Sequence, residues 1–382
     1  MKTSFTERND QIHAQFGHLI EGVKHRSNDP MLNQLEENKL EVLMDNSVKQ
    51  FCHSHRLQGD SLATVKEAMN TSADAVIFVK TQLPLVRKVF MNSIVRNLVS
   101  IQPMSQPDMK IHYYDIVRDD DSSIADDVHT QRTYGDNVEY DPNNPTAIKS
   151  LRAKITGTSI TAIEKKLKAN WSIEASQDFE AYHSVNIETE LSNALGTEIT
   201  TEWDRCILET MYQGATGGAK TFDQTIPSGI SYTDMKVWRE ELLAAIIDVD
   251  VQIFRKTYRK TNWIVTSPEI GAFLEKMLMF VPDPVSAELQ IINSGGRYLT
   301  GVLNKRWTVY IDPFFPVNKI LMGYNGASWL DTCMVWAPYV LAFMTQSFTN
   351  PTTFESVRAI MSRAASKLVR PDLLGLVTVS GS

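Results

Sequence analysis

The sequence is short of the residue types that build chemistry outright. Its three cysteines, Cys52, Cys206 and Cys333, are odd in number, far apart and without a CxxC spacing. That excludes a disulfide framework and a cysteine-rich zinc site, and the thiols read as reduced in a cytoplasmic setting. A basic excess is also missing: 38 Lys and Arg stand against 45 Asp and Glu, for a net charge of -7 and a pI near 5.7. Broad electrostatic wrapping of nucleic acid is thereby excluded, and only a local basic face remains open. The longest apolar run, Met334 to Met344, contains Pro338 and falls well below the roughly 20 residues that cross a bilayer. The N-terminus has no signal-peptide apolar core, so no membrane is expected.

Catalytic and ligand-binding patterns are equally thin. Five of the eight histidines (His13, His18, His25, His53 and His55) lie near the N-terminus, with Cys52-His53-Ser54-His55 as the tightest cluster. A closed zinc site needs four ligands, and no second Cys or His pair completes this one, so a solvated helix is the better reading. The acidic run Asp119-Asp120-Asp121 with Asp126-Asp127 lacks the turn glycine and closing glutamate of an EF-hand; Ile124 and Thr130 stand near those places. The run from Gly214 to Thr221 approaches a phosphate-binding loop. Ala219 takes the place of the glycine needed before Lys220, however, and the expected preceding element is a helix rather than a strand. A flexible hinge after a helix stop is the plainer reading. No Ser/His/Asp, Cys/His or paired-carboxylate arrangement emerges, so neither an enzyme nor a cofactor site is expected.

What the chain does have is 43% apolar residues, enough for a substantial core, and one dominant periodic stretch. From Asn186 to Gln213 the sequence predicts a single long helix. Asn186 can cap the first free N–H groups, Glu188 and Glu190 sit in the positive first turn, and Gly214 opens the stop. Its apolar residues Ile187, Leu191, Leu195, Ile199, Trp203, Ile207 and Met211 recur every fourth position. At about 100° per residue that stripe turns by about 40° at each step, so the helix meets different neighbours along its length. Its other side carries Glu188, Glu190, Glu198, Glu202, Asp204 and Glu209 against Arg205 alone, a face that repels itself unless something basic lies on it.

Around this helix the chain divides into six parts. Residues 1–74 form a polar helical arm without a core of its own. Residues 75–107 begin the folded body. Period-two alternation at Met109, Ile111 and Tyr113, and again at Ile163, Leu167, Ala169, Trp171 and Ile173, predicts the two arms of one hairpin within 108–173, separated by a polar excursion over 118–158. That excursion, about 40 residues where about 4 to 6 are usual, is long enough to have a task. Residues 174–220 hold the long helix. Residues 221–345 alternate helix and strand as an α/β unit, and 346–382 return as strands to the early body, which makes the middle block an insertion.

Several segments, as they stand here, carry a resemblance: LPLVRKVFMNSIVRNLVSIQPMSQP (83–107), ANWSIEASQDFEAYHSVNIETELSNALGTEI (169–199), NWIVTSPEIGAFLE (262–275), RWTVYIDPFFPVNKILMGYNGAS (306–328) and NPTTFESVRAIMSRAASKLVRPDLLGLVTV (350–379). Together they resemble the major capsid proteins of T4-like tailed bacteriophages. The resemblance implies an α+β fold of the Hong Kong 97 type, with a spine helix in a peripheral domain, an extended hairpin loop laid over a neighbouring subunit, and an axial domain over 221–345.

It further implies a virion shell protein assembled in the host bacterial cytoplasm as hexamers and pentamers of itself around double-stranded DNA. Portal and scaffolding proteins would be partners during assembly, a decoration protein a further one, and DNA recognition would be without sequence preference. An encapsulin-like compartment around a protein cargo is the alternative. In this family a maturation protease cuts after an apolar-x-Glu pattern, which Leu35-Glu36-Glu37 and Val65-Lys66-Glu67 both match; an uncut arm is the favoured expectation. The chain is short for the family, and the type member's lysine–asparagine crosslink has no assignable counterpart. From the one-sided acidity of the helix, Lys165, Lys166 and Lys168 are expected to face Glu198, Glu202 and Glu209, within a subunit or across an interface.

Overall fold

The computed structural model describes residues 34–55, 59, 61–68, 82–118, 151–184, 186–225, 232–282, 298–326 and 331–380. The chain opens with helices α1 (Gln34–Ser54), α2 (Leu62–Ala68), α3 (Leu83–Asn92) and α4 (Val95–Leu98), then strands β1 (Ser100–Ile101), β2 (Asp108–Arg118), β3 (Leu151–Thr161) and β4 (Ile163–Ser172). Helices α5 (Ile173–His183) and α6 (Ile187–Gly214) lead to β5 (Gly218–Asp223), α7 (Tyr232–Thr257), β6 (Trp263–Thr266), α8 (Pro268–Glu275) and β7 (Phe280–Pro282). Strands β8 (Tyr298–Leu303), β9 (Trp307–Ile311), β10 (Lys319–Gly323), β11 (Met334–Met344), β12 (Phe348–Thr349), β13 (Glu355–Leu368) and β14 (Leu374–Ser380) complete it. Among the described residues no helix is long and apolar enough to cross a membrane.

Helix α6 is the predicted spine. Asn186 Oδ1 accepts from the backbone N–H of Glu188 at 2.9 Å and of Thr189 at 3.4 Å, satisfying donors that a helix start leaves bare. The rotating stripe has the expected effect. Leu195 and Ile199 lie against α3, Trp203 meets the sheet strand β13, and Ile207, Leu208 and Met211 are buried where the two large sheets approach each other. At Gly196 an added Cβ would stand 2.7 Å from Leu85 Cδ1, so the α3–α6 crossing depends on the missing side chain.

Two sheets flank the spine. One is built on β13, which pairs antiparallel with β11 and β12 on one side and with β4 along the other, while β1 joins β11 in parallel. The other has seven strands in the order β5-β14-β10-β6-β9-β8-β7. One face of the seven-stranded sheet, through Val265, Leu321 and Leu374, shares the main core with the spine. Its opposite face packs under α7 and α8 around Ile246, Val249, Ile253, Leu274, Trp307 and Met322. The pair β2–β3 forms a separate two-stranded ribbon, its base closed by Met104, Ile111, Ile160, Val335 and Ala365.

Five expectations are corrected. The second hairpin arm is β3, not the 163–173 stretch: Asp108 opposes Thr161 and Arg118 opposes Leu151 in one unbroken ladder. The 163–172 strand shares the alternating period but spends its hydrogen bonds on β13, from Ile163 opposite Ala364 to Ser172 opposite Glu355. Periodicity reveals a strand and not its partner.

The glycine-rich run after the spine is no hinge. Gly218–Asp223 is a strand parallel to β14, and a Cβ on Gly217 would collide with the backbone carbonyl of Asp372. Glycine is there for a close backbone crossing. Asp204 is not on the exposed acidic face but fully buried, accepting from Ser93 Oγ at 2.6 Å and from the backbone N–H of Ile94 at 3.3 Å.

The tail does not return whole to the early body. Strand β13 lies in the sheet beside the spine, whereas β14 sits between β5 and β10 in the seven-stranded sheet, and β11 belongs with β13 rather than with the middle block. The boundary expected at 345/346 therefore does not separate the sheets. Finally, α1 is not a coreless, solvated arm. Leu40, Leu43, Val48, Phe51 and Cys52 are buried in the main core, although His53 and His55 are exposed. Asn46 Nδ2 donates to Met104 O at 2.7 Å and to Tyr339 O at 2.9 Å, tying α1 to the sheet.

Candidate assembly surfaces

The lysines and glutamates singled out from the sequence separate by strand geometry. Successive side chains of β4 point to opposite faces. Lys165 is on the spine side: its Nζ lies 2.9 Å from Glu202 Oε1 and 4.6 Å from the centre of the Trp203 ring. Its ammonium thus bridges the acidic helix face and an indole. Lys166 pairs instead with Glu164 at 2.7 Å on the other face, where Lys168 is exposed. The Lys166 hydrogen bond and charge, with a smaller contribution from Arg363, hold the Glu164 carboxyl below its ordinary range. Glu198 and Glu209 remain exposed on the spine, and Glu209 accepts from Gln213 Nε2 at 2.9 Å. Within one chain, only the Lys165–Glu202 pair brings the two sets together among the described residues.

The spine's N-terminal acid has a partner that the sequence reading missed. Arg358 on β13 is buried and donates to Glu188 Oε1 and Ser192 Oγ, each at 2.9 Å, and to the carbonyl of Thr345 at 3.1 Å. A cation at a strand position otherwise flanked by apolar residues was the available signal. Arg358, Glu188 and Thr345 border an open cleft of about 660 Å³, also lined by Phe51, Ser54, His55, Gln82 and Phe348. Arg358 is already satisfied by its carboxylate, hydroxyl and carbonyl, and in the same cleft Ser54 Oγ lies 2.9 Å from His55 Nδ1.

Other sequence candidates fall as follows. Lys220 is held by Asp248 at 3.1 Å, on a strand rather than in a phosphate cradle. No cluster of three or more His, Cys, Asp or Glu that could hold a metal exists among the described residues. The acidic run 119–127 lies outside them. Glu37 stands in the first turn of α1 and Glu67 within α2.

Large apolar side chains are exposed instead. Helix α5 has no buried residue and presents Phe179 and Tyr182, the latter 81% exposed. The ribbon carries Ile155, β4 carries Ile163 and Leu167, β12 carries Phe348, and the turn before β13 carries Phe354.

A long spine helix flanked by two sheets, with a separate two-stranded ribbon, defines a mixed α+β protein. Residues 115–380 match the family described as "Major capsid protein Gp23", more than half of the chain, and the chain belongs to that family. It is 28% identical over 223 residues to the major capsid protein of Enterobacteria phage T4, covering 53% of this chain and 42% of that protein. It is 26% identical over 288 residues to that of Escherichia phage AR1, covering 66% and 54% respectively. The chain thus spans about half the length of the curated relatives it matches. Among solved structures, one from Mycobacterium phage Bobi is similar over 76% of this chain and 91% of its own at 10% identity, with a TM-score of 0.48.

Proposed function

We propose that this chain is the major capsid protein of a tailed bacteriophage, assembling with copies of itself into hexamers and pentamers of an icosahedral head that encloses double-stranded DNA. The observation that carries the reading is the family match over residues 115–380. The projecting β2–β3 ribbon and the unburied α5 supply the contact surface that such a lattice consumes. In this role the chain acts without catalysis, meets portal, scaffolding and decoration proteins during assembly in the host cytoplasm, and touches DNA only through non-specific contacts. The curated relatives are all phage capsid proteins, which favours DNA over a protein cargo. Electron microscopy of the purified chain tests the reading: closed shells or rings are expected, and a concentration-independent monomer overturns it. Shells from infected cells should hold nuclease-protected DNA; a protein cargo would instead identify a cellular compartment.

If the chain is processed, the geometry of α1 favours Glu37 over Glu67. A cut after Glu37 removes only the first turn of α1, whereas a cut after Glu67 severs all of it from the core. The lysines keep a divided role in this reading: Lys165 fixes strand to spine within the subunit, and Lys166 and Lys168 face outward toward the acidic spine of a neighbour.

A further inference from the structure

Helix α7 carries two apolar stripes, and only one has a partner among the described residues. Leu242, Ala245, Ile246, Val249 and Ile253 are buried against the seven-stranded sheet. Ile247, Val251 and Phe254 follow the spacing of i, i+4 and i+7, which lines them up along the helix on the side away from the sheet, and Tyr258, just past the helix end with a left-handed backbone, adds to the same surface through its contact with Phe254. They are 36%, 39%, 39% and 51% exposed. A helix that needed only one neighbour would place charged residues there. Instead Phe254 and Tyr258 stack edge to face with ring centres 6.4 Å apart, and Lys260 lies over Phe254 at 5.5 Å, so the strip is an ordered aromatic surface.

A second bare patch lies at the other end of the same sheet. Among the described residues β7 is its edge strand; Leu278 and Met279 just before it and Val281 within it are 80%, 56% and 48% exposed. Helix α7 packs on β5 and β14, at the opposite edge. Six strand spacings, about 29 Å, separate the two edges. Pro282 lacks an N–H and ends the β7 edge as a template for another strand, so this patch offers side chains rather than backbone.

We infer that the outer stripe of α7 on one copy receives the β7 patch of the next copy, forming the head-to-tail contact that closes a ring of this chain. The inference rests on the shell reading above and specifies where its ring contact lies. The occupant is a second copy because the two patches sit at opposite ends of one rigid sheet. A two-fold contact would cover one patch twice and leave the other bare, whereas a heterologous contact covers both on every copy and closes when the rotation is right. Arg255 and Lys260 border the stripe and Glu275 borders the β7 patch, with Lys276 beside it, so charge adds register rather than strength.

The test uses two variants of the full chain: Phe254→Glu with Tyr258→Glu, which spoils the stripe, and Leu278→Glu with Met279→Glu, which spoils the edge patch. Analytical ultracentrifugation should show each variant alone monomeric at concentrations where the unaltered chain forms rings, a shift of about 30-fold or more, the size of one hot-spot residue. Mixed in equal amounts they should form a dimer and nothing larger, because one good contact remains between an intact stripe and an intact edge patch. Gentler Tyr258→Ser and Leu278→Ser chains, measured alongside, cover a charged variant that fails to fold. Dimerisation of either variant by itself, or rings unaffected by both, overturns the pairing while leaving the shell reading standing. An unaltered chain that never forms rings overturns both.

Discussion

The indole N–H of Trp203 on α6 donates to the hydroxyl of Ser362 on β13 at 2.8 Å, and both side chains are buried. This hydrogen bond fixes the rotation of the spine against the sheet at the middle of the helix, where its apolar stripe passes from α3 toward the seven-stranded sheet.

Ser362→Ala should therefore cost about 1 to 3 kcal/mol in urea denaturation of the unassembled chain, because it strands a buried donor. A Trp203→Phe, Ser362→Ala double variant should lose less than the sum of the two single changes, since the polar mismatch disappears with both partners. Additive losses would show that the hydrogen bond contributes nothing of its own.

Lys165 and the outward lysines of β4 should separate by assay. Lys165→Glu places like charge beside Glu202 and is expected to lower the stability of the single chain by about 1 kcal/mol or less, an effect that salt weakens. Lys166→Glu with Lys168→Glu should leave chain stability nearly unchanged and impair shell assembly. Assembly at the normal rate and salt dependence in that double variant would remove these two lysines from the contact.

Truncations should distinguish Glu37 from Glu67. A chain beginning at residue 38 keeps Leu40, Leu43, Val48 and Phe51 in the core. Burying four such side chains contributes at most about 6 to 12 kcal/mol, comparable to the whole net stability of a typical domain. The chain from 38 should melt within a few degrees of the full one. A chain beginning at 68 should lose its cooperative transition, unless α1 stays bound as a separate fragment. Equal melting of the two would refute the assignment of α1 to the permanent core.

Cys333 should titrate only with unfolding. Burial pushes its thiol from an ordinary 9.0 up to about 12. A raised pKa means that the folded state favours the protonated form, so this contribution is intact below about 9 and fades as pH rises toward 12. Iodoacetamide at pH 8 should label Cys333 only after denaturant is added, and Cys333→Ala should flatten the decline in stability above pH 9. Labelling in the native chain would contradict the burial.

The long helix, its cap and its buried end were legible because each is local: Asn186 needs only the next three residues, and a four-residue stripe declares itself without a partner. Strand partners were not legible. The β3 and β4 sequences are adjacent and similarly alternating, and nothing in them says that one pairs backward with β2 and the other forward with β13, nearly two hundred positions away. Asp204 looked like one more acid on a charged face because its partners, Ser93 and the Ile94 amide, come from another segment. Arg358 escaped for the same reason. The glycines at 214–218 were visible, but the carbonyl of Asp372 that makes Gly217 necessary was not.

Strands β13 and β14 are consecutive, joined by one short turn at Pro371–Leu373, yet each lies inside a different sheet with neighbours on both sides. On the ribosome, the β13 sheet cannot close until residue 368 has been synthesised, nor the seven-stranded sheet until residue 380. Nascent copies on one messenger thus stay unfinished until these late strands have emerged, and the timing of translation itself guards against premature clumping.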